Sequence, residues 1–256
     1  MIALETRSLC KSFGSLTATQ DVSLAFEAGS RYAIIGPNGA GKTTYFNLLS
    51  GNLRPDSGTI RLAGRDVTGL DVTRRAQIGI ARSFQRNNLF PDFTVLDNLA
   101  LACALRAGTT RVFWRPMRQM TSDYAEAADI AARVGLSDVL DTAVRHLSYG
   151  SQRQLEVALA LACRPQVLLL DEPTSGMSPE ETARMHDLIA GIPRTLTVIV
   201  IEHDMDIVLD IADRIIVLDY GRVLEEGTPA DIRSSRIVRE RYLGESISGR
   251  RGGTGP

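Results

Sequence analysis

The eight residues Gly36 to Thr43 read GPNGAGKT and fit the pattern G-x-x-x-x-G-K-[ST]. The pattern needs a strand that delivers the chain into a tight turn and a helix that carries it away. Both flanks are present: an apolar run at 31–35 and helical periodicity at 42–50. Gly36, Gly39 and Gly41 let the backbone curl until successive N–H groups face phosphate oxygens, and the helix start adds its partial positive charge. Lys42 then supplies a mobile ammonium for the β- and γ-phosphates, and Thr43 a hydroxyl for Mg²⁺. Pro37, Asn38, Ala40 and Thr44 complete the loop expected against the nucleotide.

Composition limits what surrounds this loop. A chain of 256 residues suits one large α/β domain, or a core with a lobe inserted into it. Twenty-nine basic residues against 30 acidic ones give no global field for a polyanion, so no nucleic-acid partner is expected. Cys10, Cys103 and Cys163 are far apart and without C-x-x-C spacing, which implies neither a disulfide framework nor a zinc site and suits a reducing cytosol. The strongest apolar runs, VLLLD and LTVIVI, fall far short of the roughly 20 residues of a membrane span, and the N-terminus lacks the h-region of a signal peptide.

Periodicity predicts strands at 2–9, 20–26, 31–36, 59–63, 167–171, 196–201 and 214–219, and helices at 42–50, 94–105, 119–134, 151–163, 179–190 and 204–212. Strands dominate the first third, helices the middle, and the last third alternates. That order suggests a core interrupted by a helical insertion at about 88–162. Within the insertion, a basic, turn-rich connector at 106–118 holds the single tryptophan, Trp114, and the tail at 244–256 is too poor in apolar residues to pack.

The run VLLLDEP ends an apolar strand in two carboxylates, at the strand end where open α/β sheets bind ligands. Asp171 is placed to hold Mg²⁺, and Glu172 to polarise an attacking water. In HLSYGSQRQLEVALALA, Ser148 and Gly150 start a strong helix and aim a hydroxyl, backbone N–H groups and a positive helix end at an anion.

LSYG followed by QRQLEVALALA resembles the signature motif of ABC transporter ATPases, and the other motifs fall in that family's order over about residues 4–243. The resemblance implies a P-loop NTPase fold of ABC type: a RecA-like α/β core at about 1–87 and 163–243, a helical subdomain at about 88–162, and a small antiparallel N-terminal β-sheet. It implies ATP and Mg²⁺ as cofactors, and two ATPase domains, as homodimer or heterodimer, enclosing nucleotide between the phosphate loop of one and Ser148/Gly150 of the other. Gln85 in RSFQRNN matches the glutamine that coordinates Mg²⁺, His203 in IEHDM the switch histidine that touches the γ-phosphate, and Phe13 in KSFG the aromatic that stacks on adenine.

Two positions depart from the common pattern. Ser151 stands where the signature usually has glutamine, with Gln152 one place later, and Ser178 stands where an aspartate often ends the loop after the two carboxylates. The stretches GMSPEE, IEHDM and RSFQRNNLFPDFTVLDNLALA, and the ending EEGTPADIRSSRIVRERYLGE, look like the ATPase subunits of branched-chain and hydrophobic amino acid importers. Importers of urea or aromatic acids, lipopolysaccharide exporters and soluble non-transport ATPases of the family are the alternatives. The importer resemblance implies integral membrane permease subunits, an extracytoplasmic solute-binding protein, and a cytoplasmic position at the inner face of the cell membrane. Leu89, Phe90 and Phe93 are expected in a groove that receives a permease helix.

Overall fold

The computed structural model describes residues 1–83, 89–108 and 121–239. The chain opens with β1 (Ile2–Phe13) and β2 (Leu16–Glu27), a long hairpin, followed by β3 (Arg31–Ile35), α1 (Lys42–Ser50), β4 (Ser57–Leu62) and β5 (Arg65–Asp66). Next come α2 (Val72–Ile78), β6 (Ile80–Arg82), α3 (Val95–Ala107), α4 (Thr121–Arg133), α5 (Tyr149–Ala162), β7 (Val167–Asp171) and α6 (Pro179–Gly191). The last elements are β8 (Thr197–Ile201), α7 (Met205–Ile211), β9 (Arg214–Asp219), β10 (Arg222–Gly227), α8 (Pro229–Ser234) and α9 (Arg236–Val238). These elements form two compact units, one of Met1–Gly69 with the chain from Ile199 onward, the other Leu70–Val198.

The first unit holds a four-stranded antiparallel sheet in the order β2-β1-β4-β5. Along β2 burial alternates, with Val22, Leu24 and Phe26 inside, as a half-covered strand requires. The same unit carries β3 with β9 parallel beside it, and β10 antiparallel on β9. All five residues of β3 are buried, the pattern of a strand covered on both faces. Tyr45 on α1 reaches β1, its phenol oxygen 3.1 Å from the Thr6 hydroxyl, so the helix leaving the phosphate loop is fixed to the antiparallel sheet.

In the second unit β6 runs parallel to β7, Arg82 facing Leu169. Helices α3, α4 and α5 pack on one another, and Glu126 on α4 ties them: its carboxylate accepts two bonds from Arg106 at 2.6 and 2.7 Å and another from Arg164 at 3.0 Å. Arg106 also donates to the Ala162 carbonyl at the end of α5.

Every predicted strand and helix has a counterpart here, while α2, β5, β6, β10, α8 and α9 were not predicted. The omissions have physical causes. The buried face of α2 is made by Arg75, fully enclosed and donating to the Leu70 carbonyl, so no apolar stripe marks the helix. In β10 the half-buried positions include Glu225, which hides the alternation. Trp114 and the tail at 244–256 lie outside the described residues, as does Gln85.

Candidate functional site

In the first unit, the loop between β3 and α1 takes three glycines through left-handed backbone, with φ +148° at Gly36, +83° at Gly39 and +97° at Gly41. A Cβ on Gly36 would stand 2.1 Å from the Leu218 carbonyl oxygen, and one on Gly41 2.2 Å from that of Ala18. Close approach as well as torsion therefore requires glycine at both. Gly41 is the N-cap of α1 and offers no side chain to its first N–H groups. Lys42 folds back, its ammonium donating to the carbonyls of Gly36 at 2.5 Å and Pro37 at 3.0 Å. Thr43 is exposed on the first turn.

His203 lies in the same unit, immediately after β8. Its side chain is mostly exposed, while the neighbouring Glu202 is fully buried and accepts the His203 N–H at 3.1 Å, with the imidazole Nδ1 3.7 Å away. Glu202 thus braces the histidine through backbone and ring, a role that a lone acid at a strand end does not announce. Phe13 ends β1 and is 47% exposed, its ring under the Lys11 ammonium at 5.6 Å. It is an available aromatic face, not a core residue.

In the second unit, β7 ends in Asp171, buried on all sides. One carboxylate oxygen accepts from the Arg82 guanidinium at 2.5 Å. The other, Oδ1, is buried and without a hydrogen-bond partner, a costly state that a metal ion or metal-bound water would relieve. Arg82, in a short strand, was not marked by the sequence. Glu172 follows with φ +46°, left-handed backbone that an acid seldom adopts.

Ser148 is the N-cap of α5, its hydroxyl oxygen accepting the Ser151 N–H at 3.1 Å. Ser148 and Gly150 are brought together, and both donate to Glu181 Oε1, at 3.1 Å each. Gln152 turns back onto the carbonyls of Val144 and Leu147, while Ser178 caps α6 in a reciprocal box with Glu181. The two departures from the common pattern therefore serve local structure here.

Hard oxygen donors suit Mg²⁺, which takes one or two protein ligands and leaves the rest of its shell to phosphate and water. The buried Oδ1 of Asp171 and the exposed hydroxyl of Thr43 are each fitted to such a role in their own unit. Among the described residues no cluster of three or more His, Cys, Asp or Glu could hold a metal without such help, and no helix is long and apolar enough to cross a membrane.

The ABC transporter family profile matches residues 19–175. The chain is 39% identical to the high-affinity branched-chain amino acid transport ATP-binding protein LivG of Salmonella typhimurium, over 95% of this chain and 98% of that one. It is equally identical, at the same coverage, to BraF of Pseudomonas aeruginosa, which bears the same description. Among solved structures, an ATP-binding cassette of an ABC transporter in its ADP conformation superposes with a TM-score of 0.82 at 28% identity, covering 95% of this chain and 99% of that one. A nucleotide-free cassette gives 0.81 at 28% identity, over 94% of this chain and 99% of that one.

Proposed function

The chain belongs to the ABC transporter family of ATP-binding proteins, and on that premise we propose that it powers solute import through membrane permease subunits, with branched-chain or other hydrophobic amino acids as the solute. The observation that carries this reading is the end-to-end likeness to ATP-binding proteins of branched-chain amino acid transport. The chain is an ATPase domain.

The loop 36–44 receives the triphosphate, with Lys42 leaving its own carbonyls for the β- and γ-oxygens, and Phe13 stacks on the adenine. By the family resemblance Thr43, Asp171 and Gln85 are the residues that would hold Mg²⁺, which would neutralise charge on the phosphate oxygens. Glu172 takes the proton of the attacking water, and His203, braced by Glu202, contacts the γ-phosphate. A second ATPase subunit, identical or related, contributes its Ser148 and Gly150 to the same phosphate. The helical subdomain at about 88–162 carries the permease contact, and an extracytoplasmic binding protein delivers solute. Phe90 and Phe93 support this: both are exposed and their rings lie 5.3 Å apart, an apolar pair for a docking helix, whereas Leu89, expected beside them, is buried.

Glu172→Gln in the assembled transporter tests the catalytic core of this reading. ATP should still bind while hydrolysis falls by roughly 10² or more; wild-type turnover would remove Glu172 from catalysis. Phe90→Glu should leave the isolated chain folded and ATP-competent but weaken copurification with permease subunits. Normal assembly and transport would move the docking surface elsewhere.

A further inference from the structure

The start of α5 already holds an anion. Glu181 stands in the first turn of α6, where its Oε2 accepts the Ser178 N–H at 3.2 Å and its own N–H donates to the Ser178 hydroxyl at 3.3 Å. Those two bonds would serve the helix cap alone. The second carboxylate oxygen leaves α6: Oε1 takes the Ser148 hydroxyl and the Gly150 N–H, the two groups assigned above to a γ-phosphate. The fit is close, since a Cβ on Gly150 would lie 2.5 Å from Oε1. The Ser178 N–H first, then the Gly150 N–H and the Ser148 hydroxyl, hold the Glu181 carboxyl below its usual range. It is therefore ionised at neutral pH and competes as an anion. A second clasp joins the same two segments, where the Tyr149 hydroxyl donates to the Ser175 carbonyl at 3.2 Å.

We propose that Glu181 is an internal stand-in for the γ-phosphate: it occupies Ser148 and Gly150 while the subunit is unpaired, and it must leave them before two subunits close over ATP. The proposal rests on the reading that these groups meet the phosphate of the opposite subunit. Two anions cannot share one hydroxyl and one N–H, and their mutual repulsion raises the ATP concentration at which closure occurs. The cap bond from the Glu181 backbone N–H to the Ser178 hydroxyl does not involve the carboxylate, so swinging the side chain away frees the site and leaves that part of the α6 cap in place. Glu181 is thus a positioning residue that sets the threshold for closure and takes no part in bond breaking.

The test uses the transporter purified with its permease subunits, carrying Glu181→Gln or Glu181→Asp. Gln removes the charge and keeps an oxygen for the cap; Asp keeps the charge on a stem too short to reach Gly150. Both variants should lower the ATP concentration for half-maximal hydrolysis by roughly 3- to 10-fold, while the affinity of the isolated chain for ATP stays unchanged. A merely structural role would shift the melting temperature without separating these two constants. Unchanged or raised half-saturation in the folded variants overturns the proposal, and failure of both to fold would reduce Glu181 to a helix cap and overturn it as well. Gly150→Asp keeps the underlying reading separate, since it should abolish hydrolysis without weakening ATP binding by the isolated chain. If it hydrolyses normally, the assignment of Ser148 and Gly150 falls; if only Glu181→Gln and Glu181→Asp are silent, that assignment stands and the stand-in alone falls.

Discussion

The two helix starts that we propose as phosphate sites stand in opposite states. At the head of α1, Gly41 caps with no side chain and the nearby cation, Lys42, rests on two backbone carbonyls. At the head of α5, the Ser148 side chain caps the first turn and a carboxylate lies on the donors beside it. The first accepts a phosphate without expelling an anion. The second accepts one only by exchange. Under the proposed function the difference implies an order of events: nucleotide enters the α1 loop of a single chain first, and the α5 site is recruited afterwards.

The largest effect that would break this contrast belongs to Lys42→Ala. Deleting the cation should weaken ATP binding by the isolated chain roughly 10²-fold, about 3 kcal/mol, and abolish hydrolysis. Calorimetric titration of the isolated chain checks it, and near-normal affinity would mean that the α1 loop does not depend on its lysine. Ser148→Ala should cost about 1 kcal/mol of stability through the lost cap of α5 while leaving the isolated chain's ATP affinity intact. If affinity fell as well, the two helix starts would not act in separate steps.

The smallest effect sharpens the comparison at the other end of α5, where Glu126 takes Arg106 and Arg164. The Arg106 hydrogen bond, more than the attraction of the two guanidinium charges, lowers the Glu126 carboxyl from 4.5 to about 2. A depressed carboxylate stabilises the fold above its unfolded value and loses that contribution as pH falls from near 4.5 through about 2. Glu126 is partly open to solvent, so the screened contribution is about 1 kcal/mol. Glu126→Gln should therefore lower the melting temperature by a few degrees at pH 7, with the gap to wild type closing below about pH 3. Its half-saturating ATP should not move, the reverse of Glu181→Gln.

What the sequence disclosed and what it hid divide along chemical lines. The loop 36–44, the Asp171–Glu172 pair and Ser148 with Gly150 are proposed from residue types that phosphate and metal chemistry demands at fixed spacing, and His203 from the family resemblance. Their supports were not legible. Arg82 reaches Asp171 from 89 positions away in the chain, and Glu181 reaches Ser148 from 33, so no local pattern ties them. Glu202 was in plain view beside His203, but a buried acid cannot be told from a solvated one by its letter. The fold follows the same rule: the largely apolar, fully buried strands β3, β7 and β8 were plain, whereas α2, built around an enclosed arginine, carried no periodic signal.

Glu172 adds a different kind of consequence. Its left-handed backbone costs on the order of 1 kcal/mol that glycine or asparagine would not incur. Selection for folding alone would erode this acid, and a screen for thermostable variants of the chain should recover Glu172→Gly or Glu172→Asn among its winners, inactive and more robust than the parent. An acid held at this corner against that cost marks a position filled for a purpose other than stability.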